Sequence, residues 1–301
     1  MSDPARWPDY PFESHWFAHA DGLRQHYLDE GRGDVVLMLH GNPTWSYYYR
    51  HLVLALRATH RCVVPDHVGM GWSDKPDDAR YEYSLRQRVA DLGVFIDGVV
   101  GPDAPITLVV HDWGGMIGLA WAVRNPGRIA RLVLLNTAGF PMPADKRLPW
   151  LLKLGRDSAL GAFLILQLNA FAAGATRLAV TKPLSDAERR AYVAPYDTPA
   201  NRIATLRFVQ DIPIAAADRG HELVRETAVL LPQLGDRPVL ICWGLRDFVF
   251  DASFLREFER VFPAAEVHAW PDAGHYVLED ARERVVERVR AFLGANPTIS
   301  A

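Results

Sequence analysis

Cysteine is scarce in this 301-residue chain: only Cys62 and Cys242 are present. Both fall inside apolar runs of strand character, where a reduced thiol serves as a small hydrophobe, so no disulfide framework is expected and cytoplasm is the expected setting. No block of basic residues exists either. Lysine and arginine (33) and aspartate and glutamate (36) are interspersed to a formal net charge of -3. That pattern gives no footing for nucleic acid and points to a small uncharged partner. The start, MSDPARWPDYPFESHWF, lacks a basic segment followed by an apolar one, so no signal peptide is expected. The glycine-rich PDHVGMGWSDKP follows a strand pattern but matches neither the dinucleotide fingerprint nor a P-loop. No cofactor and no metal are expected, and no internal repeat is visible.

What is there is a large apolar share, 49%, enough for one sizeable α/β domain with an insertion. Short β-branched apolar runs at 35–40, 61–65, 106–111, 131–136, 238–243 and 265–270 alternate with helical patterns at 45–58, 84–100, 114–124 and 279–293. This predicts a mostly parallel sheet covered by helices on both faces. Residues 22–31 are expected to add an antiparallel edge pair. The alternation stops after Phe140 and resumes at PVLICWG, so 1–140 and 232–301 are expected to form one core and 141–231 a helical cap. Within the cap, residues 158–175 are apolar, but Gln167 and Asn169 interrupt them and no charge asymmetry frames them. A cap helix facing an apolar pocket is therefore expected there, and no transmembrane segment.

The chemistry is carried by LVVHDWGGMIGLAW, a strand feeding a helix through a tight glycine turn. That is the place of a nucleophile elbow, with Gly114 and Gly115 allowing close backbone approach. Here the nucleophile position holds Asp112, and Val110 stands where the serine form has its first glycine. The Trp113 N–H at the helix start and the Asn42 N–H in HGNP are positioned to stabilise negative charge. A nucleophile, acid, histidine order is completed by Asp247 in CWGLRDFVFD and His275 in WPDAGHYVLED. Asp251 is the weaker acid candidate, and the neutral Asn136 after the 131–136 strand cannot support an imidazolium. An aspartate suits attack at carbon bearing a good leaving group or at a strained ring, because the resulting ester remains open at the enzyme's own carboxyl carbon. Asp112 has a simpler reading as a helix cap. His40, His67, His111 and Asp66 are expected to hold turns.

HGNPTWSYYYRHL, PDHVGMGWSDKP, HDWGGMIGLAWAVRNPGRI and DAGHYVLED together resemble the haloalkane dehalogenase family of α/β-hydrolases over essentially the whole chain. The resemblance implies an eight-stranded sheet with a helical cap. It also implies Asp112 as nucleophile, His275 as activator of water, Asp247 as its acid, and the side chains of Asn42 and Trp113 as donors to a departing halide. Asn plus Trp with an Asp acid after the later strand is similar to the family's third subgroup. PMPADKRLPW, AYVAPYD, NRIATLRFVQDIP and WGLRDFVFD resemble the β-lactone decarboxylases of that subgroup, which release a cis-olefin and carbon dioxide, commonly beside other olefin-biosynthesis enzymes. The resemblance thus implies a small apolar substrate. Trp150, Phe163, Leu164, Leu168, Phe171 and Phe208 are the candidate pocket residues. Two rivals stay open. An epoxide hydrolase would use Tyr192 and Tyr196 of the cap as acids, although Asn42 departs from its usual aromatic residue. A non-catalytic ligand receptor would be expected to lack a triad member.

Overall fold

The computed structural model describes residues 7–298. Eight strands, β1 (His15–Ala18), β2 (Arg24–Glu30), β3 (Val35–Leu39), β4 (Arg61–Pro65), β5 (Ile106–Asp112), β6 (Ile129–Thr137), β7 (Val239–Gly244) and β8 (Glu266–Trp270), form one sheet in the order β1-β2-β4-β3-β5-β6-β7-β8. The β1–β2 and β2–β4 pairs are antiparallel and all others parallel. Every residue of β3, β5 and β7 is buried, as both-face coverage requires, and Val, Ile and Leu fill them. Cys62 on β4 and Cys242 on β7 are buried and unbridged. Burial pushes the Cys62 thiol up to about 12, far from a reactive thiolate.

The core helices are α1 (Arg50–Leu56), α2 (Leu85–Phe95) and α3 (Trp113–Ala122). Between β6 and β7 lie α4 (Trp150–Asp157), α5 (Ala159–Leu168), α6 (Ala170–Leu178), α7 (Asp186–Val193), α8 (Ile203–Gln210) and α9 (His221–Leu230). After β7 come α10 (Ala252–Val261), α11 (Val277–Asp280) and α12 (Arg282–Ala295). Serines set several of these starts: the side chains of Ser84 and Ser158 accept from Gln87 N and Gly161 N, and Ser185 with Glu188 closes a capping box on α7.

Several expectations need correction. Residues 22–31 supply one strand, β2, whose antiparallel partner β1 lies earlier, at 15–18. The helix expected at 45–58 begins as a 3₁₀ turn over Ser46–Tyr49. That expected at 84–100 relaxes into a wider π turn over Ile96–Val100. The helix expected at 279–293 breaks at Ala281, because the Asp280 carboxylate accepts N–H groups from Gly274, Thr181 and Lys182 and so ties the loop of His275 to the cap. The apolar run 158–175 is not one helix. It bends by 84° at Asn169, which adopts φ 52°. Among the described residues no single helix is long and apolar enough to cross a membrane. α9 lies in the stretch expected to be cap, yet it packs on α3 of the core.

The strand-to-helix turn after β5 places Asp112 at φ 51° and ψ -127°. α3 reaches the sheet only because Gly114 lacks a side chain: a Cβ there would stand 1.9 Å from the Leu39 carbonyl oxygen. Gly114→Ala should therefore destabilise the fold by about 3 kcal/mol or more in a urea titration, whereas Gly127→Ala, with nothing within 4 Å of its Cβ, should stay within about 0.5 kcal/mol. Equal midpoints would refute the close approach of α3.

Candidate active site

Three strand ends bring the sequence-predicted triad together. Asp112 ends β5, Asp247 lies just beyond β7, and His275 sits on the loop after β8. His275 Nδ1 lies 2.7 Å from Asp247 Oδ2, and its Nε2 is 3.6 Å from Asp112 Oδ2. All three side chains are buried. Asp247 is held on every side: its Oδ1 accepts the N–H groups of Val249 and Phe250 at 2.7 and 3.0 Å, and its Oδ2 also accepts Asn136 Nδ2 at 3.0 Å. Asp251 is not part of this network. Its carboxylate caps α10 at Ser253 and pairs with Lys146 at 2.6 Å.

The other oxygen of Asp112 is fixed by the backbone. Oδ1 accepts the Asn42 N–H at 2.7 Å, and the Trp113 N–H also bonds the carboxylate. Gly41 makes room, since a Cβ there would lie 2.0 Å from Oδ1. The donors that stabilise an oxyanion in a serine elbow thus point at the nucleophile's own carboxylate. Of the Asn42 side chain, Nδ2 donates to the Thr205 carbonyl at 3.0 Å and Oδ1 has no partner. At most one amide N–H therefore remains for an anion in the cavity, beside the Trp113 ring.

Burial is the largest influence on the Asp112 carboxyl and raises its pKa above the ordinary value, against the lowering effects of His275 and the two N–H groups. Burial alone would pull His275 down, but Asp247, through charge and hydrogen bond, and then Asp112 lift it above the ordinary imidazole value. The remaining histidines hold turns, as expected. His40 Nδ1 donates to Gly41 O, His67 Nε2 to His40 O, and His111 Nε2 to His275 O at 2.9 Å. The Asp66 carboxylate accepts the Ser46 and Trp72 N–H groups and bonds His26.

Above Asp112 opens a cavity of about 270 Å³, walled almost entirely by apolar side chains. Leu164 and Phe171 line it as expected. Trp150, Phe163 and Leu168 do not. They sit on the outward sides of α4 and α5 with exposures of 72%, 53% and 61%. Phe208 lies beneath, its ring 5.1 Å from that of Trp113. Sequence reading missed Leu154, Ile165, Val209 and Phe250. α5 is apolar on every side, so its sequence carries no signal that separates wall from outer face. Tyr192 bonds Glu279 and Tyr196 bonds the Thr44 carbonyl, and neither lines the cavity, so the acids of an epoxide hydrolase are not supplied there. Among the described residues no cluster of His, Cys, Asp or Glu is placed to hold a metal ion.

A family model for the alpha/beta hydrolase fold matches residues 34–281. The chain is 51% identical to a cis-3-alkyl-4-alkyloxetan-2-one decarboxylase of Xanthomonas campestris pv. campestris, over 97% of this chain and 99% of that protein. It is 49% identical to the enzyme of that name from Shewanella oneidensis, over 96% and 91%. A haloalkane dehalogenase 2 of Mycobacterium tuberculosis is 34% identical over 93% and 94%. Among solved structures, haloalkane dehalogenase DbeA from Bradyrhizobium elkani superposes with a TM-score of 0.85 at 27% identity, covering 96% of this chain and all of that one. With its eight-stranded, mostly parallel sheet and with Asp112, Asp247 and His275 at three strand ends, the chain belongs to the alpha/beta hydrolase family, in the branch that holds these decarboxylases and dehalogenases.

Proposed function

We propose that this enzyme converts a cis-3,4-dialkyl β-lactone into a cis-olefin and carbon dioxide, with Asp112 as nucleophile. The observation that carries the reading is the near-complete alignment, at half identity, with decarboxylases of that substrate, where dehalogenases align at a third. The dry cavity over Asp112 supports it, because it suits two alkyl arms and leaves the carboxylate poorly solvated and reactive. The cap in this proposal is the segment 141–231, with α4–α8 forming the part over the site and α9 anchored to the core.

The route proposed is displacement at carbon, to which an aspartate is suited. Asp112 Oδ2, on the His275 side, attacks the alkyl-bearing ring carbon that carries the ring oxygen, not the carbonyl carbon. The carbon–oxygen bond breaks toward oxygen, leaving an Asp112 ester and a free carboxylate on the adjacent carbon. That carboxylate then departs as carbon dioxide while its bonding pair forms the double bond and the ester oxygen returns to Asp112. Inversion followed by anti elimination turns a cis-lactone into a cis-olefin, with no water and no proton consumed. Asn42 and Trp113 receive the released carboxylate, and their N–H groups stabilise Asp112 as it leaves. His275, whose pKa Asp247 helps to lift, faces both anions. Hydrolysis of an alkyl ester, the dehalogenase outcome, instead needs neutral His275 to deprotonate water. Enzymes that form the lactone and work beside this one belong to the same proposal.

The deciding experiment gives purified enzyme a cis-dialkyl β-lactone or a 1-bromoalkane and measures olefin and bromide from pH 5 to 10. Olefin is expected to dominate. Its rate should fall at low pH as Asp112 protonates, above the ordinary carboxylate range. It should fall again at high pH as His275 deprotonates, above the ordinary imidazole value of about 6.5. Bromide turnover without olefin would make this a dehalogenase.

His275→Ala incubated with a 1-bromoalkane should accumulate Asp112 heavier by one alkyl group in intact-mass spectra, because the first displacement needs no base and the second step does. Turnover at the wild-type rate would remove His275 from the mechanism. Asp247→Asn should lower lactone turnover by about a hundredfold or more with an unchanged melting curve, and Asp251→Asn by no more than a few fold. Equal losses would mean that the acid is misplaced.

A further inference from the structure

We infer that the outer face of the cap is a docking surface for an anionic lipid bilayer. Six large apolar side chains on three successive, mutually packed helices face solvent: Trp150 and Leu151 of α4, Leu160, Phe163 and Leu168 of α5, and Leu178 of α6. Packing does not account for their composition, since the inner sides of the same helices already wall the cavity with Leu154, Leu164 and Phe171. A solvent-exposed tryptophan beside exposed leucine and phenylalanine suits the boundary between headgroups and acyl chains.

Charge selects the occupant. Between residues 141 and 182 the chain carries six basic residues, Lys146, Arg147, Lys153, Arg156, Arg177 and Lys182, against two acids, Asp145 and Asp157. Two of the six are offset by acids outside that stretch, Lys146 by Asp251 and Arg156 by Asp218, which leaves an excess of two positive charges on a chain whose total is -3. Arg147, Lys153, Arg177 and Lys182 are exposed. A local positive excess around an apolar face, on an otherwise acidic protein, complements anionic headgroups over an acyl layer. The 84° bend at Asn169 and the shortness of α5 and α6 keep the pair from spanning and suit them to lying in the interface.

The surface is also continuous with the site. Leu151, Leu178 and Phe248 are each more than 40% exposed and each lines the cavity, so apolar surface runs without interruption from the outer face to the space over Asp112. An alkyl substrate dissolved in the bilayer therefore reaches Asp112 without crossing water. This last step rests on the apolar-substrate reading above, whereas the docking rests on the surface alone.

The test floats the full-length protein with vesicles of phosphatidylcholine and phosphatidylglycerol at 3:1, and with phosphatidylcholine alone, in low and high salt, without substrate. Binding to the anionic vesicles is expected, weakened by salt. Phe163→Glu/Leu168→Glu and, separately, Trp150→Ala should lower the bound fraction by about tenfold and a few fold, while Val229→Glu on the exposed side of α9 should not. Circular dichroism melting and olefin production from a short, water-soluble lactone check that the variants are folded, because none of these side chains lines the cavity. Equal floatation of wild type and the double variant would overturn the proposal. So would a wild type that ignores both vesicles, whether it stays monomeric or forms an oligomer that the double variant abolishes, the latter marking a protein interface. A wild type that floats but makes no olefin would count against the lactone reading and leave the docking standing.

Discussion

Everything in this molecule is arranged around one carboxylate that has to be buried, charged and reachable. Asp112 projects from a backbone with φ 51°, which lifts the side chain off the sheet and above the start of α3. Such a conformation costs energy in a residue with a Cβ, and it persists because neighbours over-determine it: the Thr137 hydroxyl holds the Asp112 carbonyl at 2.5 Å, and glycines stand where any side chain would collide. Removing the carboxylate from water is a second cost. Two backbone N–H groups and the nearby His275 imidazole offset it.

The loop of His275 is tuned to the same end. Its imidazole is clasped by Asp247 and by the stacked ring of Phe250, its carbonyl by His111, and the loop backbone by Asp280. These contacts come from separate elements, so the relative placement of base and nucleophile depends on the whole sheet and not on one loop. Apolar side chains of α4, α5 and α6 wall the cavity over Asp112, and such surroundings strengthen the electrostatic interactions within.

Much of this was legible in the sequence. The period-2 and buried apolar runs of β3 to β8 mark the sheet, and the tight glycine turn marks Asp112, because each of those signals is local. The pairing of Asp247 with His275 was legible too, since Asp247 follows a strand and Asn136 carries no charge. What the sequence hid depends on contacts between distant segments. The partner of β2 lies upstream in HWFA, too short to stand out. The break at Ala281 is set by what Asp280 binds a hundred residues away. The outward aim of Trp150, Phe163 and Leu168 follows from how α4 and α5 pack on α8, and composition alone made every large apolar residue of the cap a wall candidate.

Asn136 constrains how this site can evolve. Its amide bridges Gly244 and Asp247, donating to the carboxylate at 3.0 Å and to the Gly244 carbonyl at 3.0 Å while accepting the Gly244 N–H at 2.8 Å. The acid of the triad could in geometry be supplied from either strand end, but an aspartate at 136 would place a second carboxylate against the first and against a carbonyl oxygen. One of the two acids would have to keep a proton, and the donors now engaged would lose their match. Moving the acid from one strand to the other is therefore a two-residue exchange with a poor intermediate.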